Sequence, residues 1–455
     1  MARKLSPKPS TPTMAQLLYV NQDNFDQQHL MSMQTSCKTW LTWALRSLGG
    51  KPNETDLDRI TGLIWATVAT QNRSFHNFEH ILRLAENEDP ITTLAALFHD
   101  AIYVQVDCGL VPEVADYLTP FLVWNKGALY VRPASELRLD PESAQAVTLF
   151  GLNHIKPILA EHLNEFLSSI LVVRALKPWL SEQQLVQVIV AIEATIPFRS
   201  TAEFVPAEQL FTRLIQVNEE FGLGLTLQEC ERAIHRSVEF ANRDVENFSF
   251  ADPVIFLDNT WQLLPELNPA LRDPSRYSIR DYRKALRAME TFFVRLDSDQ
   301  IFQQFRQVPN SLIYQAWRDR SQHNLATARL YISTKLVAIA VLEALTSRGD
   351  QSRPLTNWLG PIESSSRWDA RVETQEGQVS RSLVEQQVLQ IVAYGRMRPC
   401  QFDLVKSPFT AFLLRSLGFE KMIELRPIAE KFFNAELSSD DFLDLLPYFD
   451  HAFQI

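Results

Sequence analysis

Apolar residues recur at three- and four-residue intervals along most of the chain, the spacing that places them on one face of an α-helix. Between Gln27 and Leu48 the stripe is Leu30, Met33, Trp40, Leu41 and Leu48, and Gly49–Gly50 closes it. From Asp56 to Thr70 it is Leu57, Ile60, Leu63, Ile64 and Thr67. Two helices follow. One starts near His76 and is stopped by the acidic turn Glu86–Pro90; the other spans Ile91–Tyr103 with Leu94, Ala95 and Phe98 inward. Between Val104 and Pro141 the pattern lapses at Pro112, Pro120, Gly127, Pro133 and Pro141, which predicts an irregular excursion with one short helix. Periodicity returns in Glu161–Leu176, Ser181–Thr195, Ala207–Phe221 and Thr226–Asn247, the last with Ile234, Val238, Ala241 and Val245 on its stripe. Asp252–Leu264, Ser278–Phe305 (in one piece or two) and Ser311–Ser347 continue the series. No stretch shows strand-like alternation of any length, so the expected fold is all-α.

The same pattern divides the chain. Residues 1–13, basic and proline-rich, read as a disordered leader, and 14–250 as the main helical domain. Residues 251–347 read as a helical extension packed on it. Residues 348–381, rich in Ser, Gln, Pro and charge, read as a linker, and 382–455 as a small helical module ending in the acidic stretch Ser438–Asp450. Its detached position makes these C-terminal helices the candidate surface for a homo-oligomer.

Composition narrows the function classes. Only 13 of 455 residues are glycine, so few positions ask for positive φ, in keeping with helix. A net charge of −10 argues against a general binder of nucleic acid or of anionic membranes, while leaving room for a local basic pocket. Cys37, Cys108, Cys230 and Cys400 are dispersed without a CxxC spacing, which speaks against a disulfide framework or a thiolate zinc site. The leader lacks the apolar core of a signal peptide, and no run approaches the eighteen or so apolar residues of a spanning helix. A soluble cytoplasmic protein is expected.

The chemistry concentrates in Ser74–Tyr103. His76 and His80 stand four apart, and on a helix they would address one cavity from successive turns. His99 and Asp100 are adjacent, so their side chains diverge, but an ion lying over their helix could be reached by both. Imidazole with carboxylate and no sulfur suits a divalent Mn, Fe, Ni, Zn or Mg ion at a catalytic site better than a structural zinc. The resemblance of these residues to the HD superfamily of metal-dependent phosphohydrolases implies one further carboxylate, on a later helix. Asp244, at the edge of the apolar stripe between Ala241 and Val245, is the first choice, and Glu193, embedded in Ile189–Thr195, is the competitor.

On these residues the chain resembles the HD superfamily of metal-dependent phosphohydrolases, helical bundles with a His … His-Asp … Asp pattern. Ser74-Phe75-His76-Asn77-Phe78-Glu79-His80 is similar to the Tyr-His-Asn-x-x-His signature of the cyclic-nucleotide phosphodiesterase branch, with Phe75 where tyrosine is usual. Leu94–Tyr103, with Arg73 ahead of the first histidine, resembles small bacterial phosphohydrolases of that superfamily. Those carry an Asn-Glu-x-x-Ser word after the His-Asp pair; here it is Asn164-Glu165-Phe166-Leu167-Ser168, at a longer distance. The resemblance covers Arg73–Asp107, extends weakly to Phe248, and says nothing about Ser249–Ile455.

The resemblance implies an HD-type bundle in which His80, His99, Asp100 and Asp244 hold the ion, hydroxide attacks phosphorus, and His76 protonates the leaving oxygen. Arg73, Asn77, Asn164, Glu165 and Glu193 would stand around the ion or substrate, and Arg243 could pair with a phosphate or carboxylate. The partner would be a small phosphorylated substrate or nucleotide. His154, His162 and His235 could supply a second ion or be structural. The alternative is a catalytically silent HD-type protein that binds a nucleotide or a protein partner; a third possibility is a structural subunit with merely buried histidines.

Overall fold

The computed structural model describes residues 22–199, 205–273, 276–346 and 381–446. The leader 1–13 and the linker 348–381, except Arg381, lie outside the described residues. The chain forms two compact units and passes between them at Glu246/Asn247, Asp299/Gln300 and Gln315/Ala316. The first unit therefore includes Gln300–Gln315, a segment separated from the rest of it by the intervening stretch of the second. The expected extension (251–347) and C-terminal module (382–455) fall within the second unit, apart from that returning segment.

The first unit is built around one short helix. Helix α1 (Gln22–Ser47), α2 (Glu54–Val68) and α3 (Phe78–Ala85) precede α4 (Pro90–Phe98). Asp89 caps α4 by accepting from the N–H groups of Ile91 and Thr92, and Pro90 fits its first turn, where no N–H is needed. Every residue from Ile91 to Phe98 is buried, as expected of a helix apolar on all sides. Helices α1, α3 and α7 (Glu182–Ala194) pack against it. Leu57, Ile60, Leu63, Ile64 and Thr67 are buried as their spacing predicts, but Leu30 is exposed, because the buried face of α1 begins only at Cys37.

The excursion after α4 corrects two expectations. It contains three short α-helical turns, Val104–Asp107, Ala115–Leu118 and Ala134–Leu137, and two 3-10 turns, Pro112–Val114 and Thr119–Phe121, instead of one short helix, and most of a small antiparallel sheet where none was foreseen. Strand β1 (Leu122–Asn125) pairs with β2 (Ala128–Val131), and β2 pairs with β3 (Ile158–Leu159). Lys126 and Gly127, at φ 48° and 80°, make the two-residue turn whose twist matches a hairpin. Strands of two to four residues are too short for alternation to register in the sequence.

An unexpected helix, α5 (Pro141–Leu149), follows, and helices then return near their expected bounds: α6 (Asn164–Leu176), α7, α8 (Pro206–Glu220) and α9 (Leu227–Asp244). Serine and threonine capping boxes start α7 at Ser181 and α9 at Thr226.

The second unit comprises α10 (Pro253–Thr260), α11 (Ile279–Arg295), most of α12 (Ser311–Thr346), α13 (Leu383–Tyr394) and α14 (Pro408–Phe433). Contrary to the sequence expectation, α12 is long and apolar enough to cross a membrane: Ser311–Leu345 contains a window of mean hydropathy 1.5 that tolerates scattered polar residues. Of that window 72% is buried within the chain, as in a core helix.

The interior of this unit holds a charged cluster. Asp403 Oδ2 accepts from Lys335 Nζ (2.9 Å), Arg396 Nη1 (2.8 Å) and Trp261 Nε1 (2.9 Å), all deeply buried. Burial alone would raise the Asp403 pKa, but Lys335 and Arg396 hold it below the ordinary carboxylate range. A lowered folded-state pKa gives stability that is complete above the unfolded value of about 3.9 and fades as pH falls through the folded value. Asp403→Asn should therefore cost about 3–5 kcal/mol at neutral pH, as when one member of a buried pair is removed. Urea unfolding at pH 7 and pH 3 checks this: the gap between variant and wild type should narrow in acid, and an unchanged gap contradicts the role given to the charge.

Candidate metal centre

The first two histidines flank a helix start. Asn77 is the N-cap of α3: its Oδ1 accepts from His80 N at 3.1 Å, and its Nδ2 donates to Ser74 O at 2.9 Å. Asn77 is thus spent on the backbone that carries His80 and does not face a substrate. His76 precedes the cap, in a bend, so the expected helical i, i+4 relation to His80 does not hold; their ring centroids are 6.2 Å apart by virtue of the bend. His80 is buried and His76 half-buried.

The third and fourth residues sit where α4 stops. The expected helix to Tyr103 ends at Phe98; His99 is its C-cap and Asp100 lies in the following turn. Leaving the helix at this point lets two neighbours converge that a continuing helix would splay by about 100°. His99 Nδ1 lies 2.9 Å from Ala96 O, so that nitrogen carries the proton and Nε2 faces the centre, the arrangement typical of metal-ligating imidazoles.

The turn is pinned from outside. Arg73, fully buried in its side chain, donates to Asp100 O, to Ala101 O (3.3 Å) and to Asp107 Oδ1 (3.1 Å). Thr70 Oγ1 adds a bond to Asp107 at 3.0 Å. Arg73 therefore holds the loop and does not steady a phosphate. From α6, Asn164 Oδ1 accepts from Val104 N (3.1 Å) and Ser168 Oγ from Ile102 N (3.0 Å), so the Asn-Glu-x-x-Ser word anchors the same turn.

Asp244 arrives from the last position of α9. Arg243 beside it donates to the carbonyls of Arg83 (3.4 Å), Leu84 (3.1 Å) and Glu86 (3.4 Å), capping the C-terminus of α3 and tying α9 to the helix of His80. Its expected pairing with a phosphate or carboxylate gives way to this. Asn242 exchanges two bonds with the backbone of Gln303, at 2.7 and 2.9 Å, and Gln303 Nε2 donates to Ala194 O at 2.7 Å. The returning segment thus ties the ends of α9 and α7 together, which nothing in the local sequence signals.

Four ligand-type atoms meet. His80 Nε2 lies 3.0 Å from Asp244 Oδ1, 3.4 Å from His99 Nε2 and 3.5 Å from Asp100 Oδ2; His99 Nε2 lies 3.1 Å from Asp100 Oδ2 and 3.6 Å from Asp244 Oδ1. Ligands about 2.1 Å from one ion stand about 3.0 Å apart in an octahedral shell and about 3.4 Å in a tetrahedral one. Glu193 is excluded from this group: fully buried, it receives Arg213 Nη2 at 2.9 Å and both terminal nitrogens of Arg199.

The electrostatics ask for a cation. Asp100 Oδ2 is buried without a hydrogen-bond donor in proper geometry, although His99 Nε2 is near. With the His99 proton on Nδ1, lone pairs face each other across that gap, a costly contact unless a proton or a cation lies between them. Burial works against a charged His99 ring, yet Asp100 and Asp244 raise its pKa well above the ordinary value. Burial likewise works against both carboxylates, and the histidines hold their pKa values well below the usual range. With both imidazoles neutral, as ligation requires, the two carboxylates carry a charge of −2; in the absence of an ion the raised His99 pKa answers part of it with a proton, and the donor set is of the kind a divalent ion takes. Arg83 Nη2, 3.5 Å from His80 Nδ1, is a donor facing that ring, but it has Glu246 at 2.9 Å from Nη1 as an alternative partner.

Around the centre stand residues of unequal promise. His76 packs edge-on against Tyr103 (4.7 Å between ring centroids) and Phe75 (4.8 Å), and Phe75 stacks on His80 at 5.9 Å. Tyr103 escaped sequence reasoning, though it is the last residue of the His-Asp word. Glu165 is half-buried; burial raises its pKa, and the charges of Asp100, His99 and Arg199 act on it, which places it beside the centre. His154 bonds Arg132 O at 2.8 Å, and neither it nor His162 or His235 joins a group able to hold an ion among the described residues.

Comparison with protein-family models, curated proteins and solved structures gives no match. If Arg73 is a pin and not a phosphate contact, Arg73→Met should cost about 3–5 kcal/mol, the penalty of stranding buried Asp107. Urea unfolding measures this, and unchanged stability would return Arg73 to a substrate role.

Proposed function

We propose that this chain is a metal-dependent phosphohydrolase of HD type, cleaving a phosphate mono- or diester, with nucleotides among its candidate substrates. The observation that carries the reading is the convergence of His80 Nε2, His99 Nε2 and Asp244 Oδ1 at 3.0–3.6 Å from one another, with Asp100 Oδ2 at 3.1 and 3.5 Å from the two histidine nitrogens, in a buried setting. These four residues would hold a divalent Mn, Fe, Ni, Zn or Mg ion. Such an ion lowers the pKa of water and neutralises phosphate oxygens, the two demands of ester hydrolysis near neutral pH.

The chain's own residues supply the rest. His76, half-buried between Phe75 and Tyr103, stands next to His80, and its position beside the centre supports the role of protonating the departing oxygen. The Arg73, Asn164 and Ser168 bonds keep the His99–Asp100 turn from relaxing, which preserves the spacing of the donors. Glu165 borders the centre and is the candidate for positioning substrate or water. The four cysteines are free thiols, in keeping with a reducing cytoplasm.

Elemental analysis of purified protein should find a stoichiometric ion in wild type, its loss in His99→Ala and Asp244→Ala, and its retention in Glu193→Gln. Ion content unaffected by the first two substitutions would sink the site. With Mn²⁺, Fe²⁺, Ni²⁺, Zn²⁺ or Mg²⁺ supplied, a panel of phosphate mono- and diesters should reveal turnover; binding of the ion with no turnover on any ester would leave a silent HD-type binding protein instead. His76→Ala should keep the ion and lower kcat by about 10²–10⁴-fold, the usual contribution of a general acid. An unchanged kcat removes His76 from the mechanism.

A further inference from the structure

The charged cluster inside the second unit does not balance. Lys335, Arg396 and Asp403 are each at least 95% buried, and the two cations share the one carboxylate. Lys335 Nζ is ringed by Trp261, Tyr282 and Tyr331 at 5.2–5.5 Å, and Arg396 lies 4.6 Å over the Trp261 ring. Aromatic faces attract these cations but contribute no compensating charge. A net positive charge held out of water is expensive unless something answers it.

Beside Lys335 lies a cavity of about 40 Å³, bounded by Tyr282, Asp403, Ser407, Phe409, Thr410 and the apolar side chains of α12. One water needs about 10–15 Å³ by the same kind of measure, so the space takes a few waters or one small polyatomic group. Three features of its wall point the same way. Tyr282, 2% exposed, directs a buried hydroxyl at this space without a hydrogen-bond partner. Burial and the Asp403 charge push the Tyr282 pKa well above its ordinary value, so the phenol keeps its proton and is a donor in want of an acceptor. Asp403 does not supply one in hydrogen-bond geometry; its Oδ2 already takes three donors.

The second feature is the N-terminus of α14. Its cap residue, Ser407, makes no capping bond with its side chain and instead has Lys335 Nζ 3.1 Å from Oγ. The opening turn, Pro408–Thr410, lines the cavity, so the positive end of a helix that runs unbroken to Leu417 faces it. The third is Lys406, which lines the same cavity and is exposed, placing a further cation where the space meets solvent.

We propose that the second unit carries a binding site for a small oxyanion, a carboxylate or phosphate group, seated between Tyr282 Oη, Lys335 Nζ and the first turn of α14. The ligand's charge answers the surplus cation, and its oxygens accept from the phenol and the helix N–H groups. Ala338, Ile339 and Leu342 form the apolar side of the space and give no donor for a second polar group.

The test uses the full chain, dialysed against EDTA so that phosphate binding at a divalent ion does not interfere. Sodium acetate and sodium phosphate are titrated against sodium chloride at matched ionic strength, following the melting temperature and the heat of binding. A saturable rise with at least one oxyanion, absent with chloride, is expected. Tyr282→Phe deletes only an unpartnered hydroxyl and should fold normally while binding about tenfold more weakly, the worth of a hydrogen bond to a charged group. Lys335→Met leaves Arg396 and Asp403 balanced and should abolish the response. No oxyanion-specific rise in wild type overturns the proposal, as does a Tyr282→Phe variant that binds like wild type. If Lys335→Met does not fold, the Tyr282 variant decides alone.

Discussion

Two carboxylates and two imidazole nitrogens forced together away from water are stable only with positive charge among them, and the first unit is organised to keep them there. Left to themselves Asp100 and Asp244 would separate or take up water. In the fold each is carried by an element that cannot move alone: Asp100 by a turn nailed to Arg73, Asp244 by the end of α9. The apolar packing of α4 against α1, α3 and α7 sets the stage, but the polar bonds at its end define the geometry.

Those bonds share a logic. Asn77, Arg73, Asn164, Ser168 and Arg243 all spend their side chains on backbone groups, and all of those backbone groups flank a candidate ligand. Residue types that suggest substrate binding in a sequence are here used to hold ligand-bearing loops still. A buried Arg with a carboxylate partner is costly to break, and backbone bonds leave no freedom for the turn to drift.

The second unit poses the opposite problem, an interior with more positive charge than negative. Its charges gather on Asp403, with aromatic rings as packing, and the Tyr282 hydroxyl at the cavity wall makes no hydrogen bond of proper geometry among the described residues. A surplus of negative charge in one cluster and of positive charge in the other invites ligands of opposite sign by the same desolvation argument.

Periodicity located the long helices, because apolar spacing is a local property of the chain; the caps at Asn53, Ser181, Thr226, Ser278 and Ser382 that set their starts went unread. The resemblance of Arg73–Asp107 to a known family pointed to His80, His99 and Asp100, and the cost of an acid at the edge of an apolar stripe pointed to Asp244, with Glu193 as competitor. Periodicity missed the hairpin, whose strands are too short to show a period. It misjudged Leu30, because a stripe does not say where a helix first meets a partner. Whether Asp244 or Glu193 completes the centre was undecidable locally: both are acids in apolar helices, and only the packing shows Arg199 and Arg213 closing over Glu193 while α9 delivers Asp244 to the histidines. The sequence by itself determined the helices and the residues that need a partner. Tertiary structure alone decided which partner each received, because charge compensation acts through space between segments as far apart as Gln303 and Asn242 or His80 and Asp244, and no local pattern carries that distance.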